Sequence, residues 1–132
     1  MLRYRVHSEA GCADLWPLLS RPARWPEWAP HLRGAWNLGD FEVEEGAQGA
    51  ARLLGVVPVP ATIVRKRPGR SWAWRVGPVD MDHRLVPQRR GTTVEVTVNA
   101  PWAVELALRA SYGPLMMLAL RRLATCGGRC RA

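Results

Sequence analysis

The stretch Ser71–Val86, SWAWRVGPVDMDHRLV, holds large apolar residues at nearly every second position on both sides of Gly77-Pro78. A period of two is typical of a strand with one buried face, and Gly-Pro is a turn signal. The stretch therefore predicts two adjacent antiparallel strands, Ser71–Val76 and Val79–Val86. Strands joined by so short a turn indicate an antiparallel sheet.

His83 lies on the apolar side of the second predicted strand. It shares the parity of Val79, Met81 and Leu85, whereas the charged residues between them fall on the opposite face. The imidazole is therefore expected to face the interior. There it would orient a ligand hydroxyl, act as an acid or base, or serve as a core histidine bonded to a backbone carbonyl.

Short segments bounded by Gly, Pro or charged residues continue on both sides of this pair of strands. Their rhythm predicts an antiparallel meander from His31 to Val98, preceded by one N-terminal strand. The further predicted strands are Leu2–Val6, Leu32–Leu38, Gln48–Leu54, Val59–Lys66 and Thr92–Val98.

Two short helices are predicted between the first and second strands. Ser8 is the predicted N-cap of a helix that runs to about Leu19 and is shortened or kinked by Pro17. Ala23–Trp28 then predicts one further helical turn, which Pro30 stops.

A long helix is predicted from Trp102 to about Ala124, apolar nearly all round in its middle. Pro114 is expected to bend it, and Gly127-Gly128 to end it, which leaves residues 127–132 as a disordered tail. Charges and a Gly-Pro step interrupt its apolar stretch, so the pattern favours a core-packing helix over a membrane span.

The order of these elements predicts an α+β fold in one domain, residues 1–126. A curved antiparallel sheet of about seven strands, in the order β-α-α-β6-α, wraps around the long C-terminal helix. A strongly bent sheet around a helix leaves a cavity between the two layers.

Several short motifs resemble the START-like (SRPBCC) superfamily, whose fold is the helix-grip. They are Leu15-Trp16 in the first helix, the stretch Pro22–Pro30, the aromatic strand Ser71–Trp74, Leu85-Val86-Pro87 and the Gly91-Thr92 turn. The resemblance covers about Arg3 to Leu123. It implies a polyketide cyclase/dehydrase-like or lipid-transfer-like protein whose last helix lines a ligand cavity. The segment between Gly39 and Val59 is short for this superfamily, so a small cavity is expected.

Composition sets the remaining expectations. The chain has 132 residues and a formal net charge of +8, carried by scattered arginines and a single lysine, Lys66. No nucleic-acid partner is expected from this scatter. Cys126 and Cys130 lack two further ligands for zinc, so no metal and no cofactor are expected. Without a recognisable signal peptide, the sequence predicts a cytoplasmic monomer or homodimer.

The candidate ligand contacts are large, amphipathic or cationic residues placed near the predicted cavity. Indoles offer rigid area and one N–H donor, methionines adaptable contact, and an inward arginine a carboxylate partner. Core packing is the alternative for most of them, and capping or gating of one cavity end for Trp25 and Trp28. The predicted ligand-binding residues are Trp28, Trp36, Arg52, Arg65, Trp72, Trp74, Met81, His83, Tyr112 and Met116, with His83 and Tyr112 also candidates for catalysis.

Three functions are compatible with the predicted fold and the predicted site residues. The leading hypothesis is binding or transfer of a small hydrophobic ligand in the cavity. The second is a polyketide cyclase/dehydrase-like enzyme, which needs converging polar groups in that cavity. The third is a regulatory or partner-binding domain that uses the basic surface.

Overall fold

The computed structural model describes residues 1–29, 32–39, 41–53, 57–111 and 113–130. Side chains are described for the same residues except 32–34, 52–53, 57–58, 111 and 126–130. The elements, in chain order, are β1 (Leu2–Ser8), α1 (Cys12–Ser20), a 3-10 helix (Pro22–Glu27), β2 (Leu32–Trp36), β3 (Gln48–Leu53), β4 (Val57–Arg67), β5 (Ser71–Val76), β6 (Val79–Pro87), β7 (Thr92–Asn99), α2 (Trp102–Ser111) and α3 (Gly113–Cys130).

Within the described residues, the seven strands form one antiparallel sheet in the order β1-β7-β6-β5-β4-β3-β2. The N-terminal strand therefore lies beside the last strand rather than beside the second. α1, the 3-10 helix and α3 pack on one face of the sheet, and the apolar core lies between these layers. The predicted α+β helix-grip architecture is confirmed.

The predicted long C-terminal helix is two helices. α2 ends at Ser111, α3 begins at Gly113, and the two are bent by 64°. Pro114 has no N–H and its ring crowds the carbonyl four residues earlier, so one continuous helix is disfavoured here. α3 also continues to Cys130, beyond Gly127-Gly128, where the sequence predicts its end.

Ser8 does not cap α1 but ends β1, and α1 begins only after Gly11. The Ser8 Oγ accepts from the Ala10 N–H at 3.2 Å and donates to the Ala124 carbonyl at 2.8 Å. The hydroxyl therefore joins the end of the first strand to the last helix.

The Gly91-Thr92 turn lies directly against the end of β1. Gly91 has a φ of +76°, and a Cβ at this position would lie 1.9 Å from the Ser8 carbonyl oxygen. The Thr92 hydroxyl donates to the buried Ala10 carbonyl at 2.9 Å. A glycine is thus required for the close approach, and the threonine satisfies a backbone group that the approach buries.

An irregularity in β4, between Ile63 and Arg65, changes which side chains face the core. After it, Lys66 lies opposite the inward-facing Trp72, and its ammonium contacts Glu42 at 2.8 Å. The Trp16 indole donates to the same carboxylate at 3.2 Å. The hydrogen bond from Lys66 is the main cause that lowers the pKa of Glu42. The sole lysine of the chain is therefore an anchor between the sheet and α1.

Candidate functional site

Three tryptophans from distant parts of the chain form one cluster in the core. The ring centroids of Trp25, Trp72 and Trp74 lie 5.3 Å from one another, with Trp25 and Trp72 stacked. All three side chains are buried. Large indoles therefore occupy much of the space between the central strands and the 3-10 helix.

The indole N–H groups of this region cap the C-terminus of α1. Trp25 and Trp72 both donate to the Leu19 carbonyl, at 2.9 and 3.0 Å, and Trp28 donates to the Leu18 carbonyl at 2.8 Å. The last carbonyls of a helix have no partner within the helix. The tryptophan-rich stretch after α1 thus satisfies buried carbonyls while filling the core. This is helix capping, and it differs from the predicted capping or gating of a cavity end by Trp25 and Trp28, neither of which lines the cavity described below.

His83 belongs to the same cluster. Its ring stacks on Trp72 with a centroid distance of 4.0 Å, and its Nδ1 lies 3.3 Å from the Trp72 carbonyl oxygen. Burial lowers the pKa of His83 to about 4, against a smaller opposing effect of that hydrogen bond. The imidazole is therefore neutral at pH 7 and is a core histidine. This role is one of the alternatives that the sequence leaves open.

A small apolar cavity of about 130 Å³ lies beside the cluster, where the ends of β4 to β7 meet α2. Six aliphatic or thioether side chains and one indole form its wall, so apolar atoms dominate the lining. The Trp74 Nε1 is buried and has no hydrogen-bond partner among the described residues. The wall residues are Val59, Trp74, Val76, Val79, Met81, Val98 and Leu108.

Of the predicted ligand contacts, Trp74 and Met81 line this cavity. Trp28, Trp72, His83 and Met116 are buried in the core and do not line it, because they pack between the sheet and α1, α3 or the 3-10 helix. The tryptophans Trp28 and Trp72 in addition use their only N–H on α1 carbonyls. Tyr112 and the Arg52 side chain lie outside the described residues.

Trp36 and Arg65 lie on the outer face of the sheet, which corrects the prediction that they reach the cavity. Trp36 is 43% exposed and pairs with Ala50, whose neighbour Ala51 faces the core. The Arg65 side chain is 61% exposed and lies 3.7 Å from Asp82. The irregularity in β4 explains the arginine, because it changes the parity just before this position.

The sequence does not identify five of the seven wall residues, four of them valines and the fifth Leu108. A partial signal was present, since Val76 and Val79 share the parity of the tryptophans and of His83. Parity separates inside from outside but does not tell which end of a sheet is filled. Here bulky indoles fill one end, and small valines leave space at the other.

The basic surface predicted for the third hypothesis is partly neutralised on the outer face of the sheet. Arg75 pairs with Asp80 at 2.8 Å, and Arg84 and Arg65 lie near Asp82. Arg75 and Arg84 thus face water, as their parity predicts. Arg75 and Asp80 are directly opposite each other on β5 and β6, and a cross-strand ion pair of this kind is typical of a solvated sheet face.

The requirements of a metal site and of a membrane-spanning helix can also be compared with the described part of the chain. No group of three His, Cys, Asp or Glu side chains there is placed to hold a metal ion. No single described helix is long and apolar enough to cross a membrane, although the bent pair of α2 and α3 reaches that length and composition jointly.

The curved antiparallel sheet, the C-terminal helix and the apolar cavity between them define a helix-grip protein of the START-like class. The profile of the family described as "Polyketide cyclase / dehydrase and lipid transport" matches residues 2–126. The chain belongs to this family, whose fold is built to bind hydrophobic ligands.

Solved structures share the fold at low sequence identity. A protein from Nitrosomonas europaea has a TM-score of 0.77 at 12% identity, over 98% of this chain and 95% of that chain. A protein from Thermobifida fusca has a TM-score of 0.76 at 19% identity, over 97% and 93%. StfQ, a di-domain ARO/CYC from the steffimycin biosynthetic pathway, has a TM-score of 0.79 at 13% identity, over 98% of this chain and 51% of StfQ. No curated protein sequence matches the chain.

Proposed function

We propose that the protein binds a small hydrophobic molecule in the cavity between β4–β7 and α2. The observation that carries this proposal is the wall itself, seven inward side chains of which six are aliphatic or thioether. Family membership supports it. The driving force is the burial of apolar surface, worth about 25 cal/mol per Å².

The volume limits the ligand. Pockets for drug-sized molecules hold about 300–1,000 Å³, whereas this cavity holds about 130 Å³. An apolar cavity of roughly 150 Å³ accepts benzene. The proposed ligand is therefore one ring or a short branched chain, or the apolar end of a longer molecule.

A longer ligand enters most easily by displacing α2. This helix contributes only Leu108 to the wall, and most of its residues are exposed or half-buried. The strands that form the other walls are held by backbone hydrogen bonds to their neighbours in the sheet. Enlarging the cavity therefore costs less free energy on the α2 side than on the sheet side.

Binding rather than turnover is the function that these residues support. The seven described wall side chains include none that titrates near neutral pH, and the single N–H donor among them is the Trp74 indole. His83, the candidate base of the cyclase hypothesis, is stacked on Trp72 outside the wall.

Toluene is the probe for this proposal. Transfer of on the order of 200 Å² of apolar surface at 25 cal/mol per Å² gives about 5 kcal/mol, and this corresponds to a Kd of about 0.2 mM. We expect toluene to perturb the NMR signals of Met81, Val98 and Leu108 selectively. Val79→Phe should weaken binding at least about tenfold, because a half-buried side chain at the cavity edge would then occupy its space.

The matched control is Val64→Phe, which adds the same ring to an exposed valine outside the cavity and should leave the toluene affinity unchanged. Perturbations spread evenly over the surface, or equal affinities for the wild type and Val79→Phe, would contradict the proposed site.

A further inference from the structure

The most exposed aromatic side chain among the described residues lies on α2. Trp102 is 80% exposed and Leu106, one turn later, is 62% exposed. The exposed Arg109 follows at the next step of the same helix face. A face that exposes two large apolar residues and ends in a cation is unusual on a soluble surface and marks an interaction site.

Arg109 also connects this face to a surface groove of about 530 Å³. The groove runs between β1 and the junction of α2 with α3. The residues that line it include the cationic Arg109, the phenol of Tyr4 and the apolar Leu2 and Met117. Arg3 also lines the groove, but its side chain alternates to the outer face of the sheet and lies near Glu95. Burial raises the pKa of Tyr4, which keeps the phenol a hydrogen-bond donor.

The carboxylates near this surface are already engaged. Glu95 pairs with Arg5 at 2.8 Å and lies 3.8 Å from Arg3. Glu105 accepts from the Ala100 N–H at 3.2 Å and from the Met1 amino group at 2.6 Å. Four cations, the Met1 amino group, Arg3, Arg5 and Arg109, lie near these two carboxylates, so the local formal charge is positive, in line with the net charge of +8.

We propose that α2 and the adjoining groove dock on the surface of an anionic lipid bilayer. Tryptophan and leucine on one face of a helix, with arginine at its edge, match the boundary between acyl chains and phosphates. Trp102 and Leu106 enter this boundary, while Arg109 contacts lipid phosphates. This surface is distinct from the cavity, so the proposal goes beyond the proposed function.

A second protein is the less favoured occupant. A protein-binding site needs a buried apolar centre with a polar rim, whereas here the apolar residues lie at the exposed side of one helix and Arg109 lies at the groove beside it. A lipid bilayer offers acyl chains to the exposed apolar residues and phosphates to the arginine, and it needs no matched shape.

Flotation of the full chain with vesicles tests this inference. We expect binding to phosphatidylcholine vesicles that contain 30% phosphatidylglycerol, and little binding to vesicles of phosphatidylcholine alone. The double variant Trp102→Ala/Leu106→Ala should lower the partition coefficient at least about tenfold. Arg109→Gln should lower it about fivefold, the effect of one cation near an anionic surface.

Two matched controls use exposed residues elsewhere, Phe41→Ala for the aromatic ring and Arg75→Gln for the charge. Both should change the partition coefficient less than about twofold. The inference is overturned if the wild type stays unbound, or if the controls lose as much binding as the α2 variants. It is also overturned if sedimentation shows that the wild type is a dimer and that the Trp102→Ala/Leu106→Ala variant is a monomer, since the face would then bind a second copy of the chain. Toluene affinity should stay unchanged in the α2 double variant, so failure here is separable from failure of the cavity proposal.

Discussion

Replacing Trp72 by alanine should lower the free energy of unfolding by about 4 kcal/mol, within the range for large-to-small aromatic substitutions in a core. The ring is stacked between Trp25 at 5.3 Å and His83 at 4.0 Å, so both partners lose a face. The Leu19 carbonyl also loses one of its two indole donors. Urea unfolding followed by circular dichroism measures the change.

The control for Trp72 is the equivalent truncation at the surface. Trp102→Ala removes the same side chain where it is 80% exposed and should change the free energy of unfolding by less than about 0.5 kcal/mol. Trp72→Phe should fall between the two, because it keeps one of the two fused rings and loses the other together with the N–H donor. Equal losses for the Trp72 and Trp102 truncations would show that the cluster does not hold the core together.

Acidification should destabilise the protein through His83. The pKa of this group is about 4 in the folded protein and about 6.5 in the unfolded chain, which therefore binds the extra proton in between. The contribution of neutral His83 to the free energy of unfolding is complete above pH 6.5 and is lost as the pH falls towards 4. At 1.36 kcal/mol for each pKa unit, the loss between pH 7 and pH 4 is about 3 kcal/mol.

His83→Gln isolates this contribution, since the amide keeps a donor for the Trp72 carbonyl and does not titrate. The quantity to compare is the slope of unfolding free energy against pH from 7 to about 5.5, above the range in which most carboxylates titrate. The slope of the variant should be nearly flat there. A wild-type slope that survives the substitution would mean that another group carries the acid sensitivity.

Strand parity explains why part of this structure is predictable from sequence. On β6, alternation places His83 and Met81 inside and the charged residues outside, and the structure confirms both. On β4 the same argument is ambiguous for Arg65, because an irregularity in register resets the parity. Such a shift depends on how two strands meet, which a single strand's pattern does not contain.

The position of the cavity could not be predicted from strand parity alone. Its position follows from where bulky and small side chains meet across four strands, and from the break before α3 that sets α2 at an angle of 64° to α3. The sequence showed Gly113-Pro114 at that break, yet predicted a bend rather than two helices. The indole caps on α1 were equally out of reach, because Trp72 and Leu19 lie 53 residues apart.

The place of β1 at the edge of the sheet has a consequence for the order of folding. This strand pairs with β7. Leu2 can therefore pair only after Val98 has been made, and the Ser8 hydroxyl can bond only after Ala124 has been made. During synthesis, the strand Leu2–Ser8 thus remains without its native partners until β7 and the region of Ala124 have been made. Contacts so distant in sequence slow folding, and they leave the nascent N-terminal segment open to other strands in the meantime.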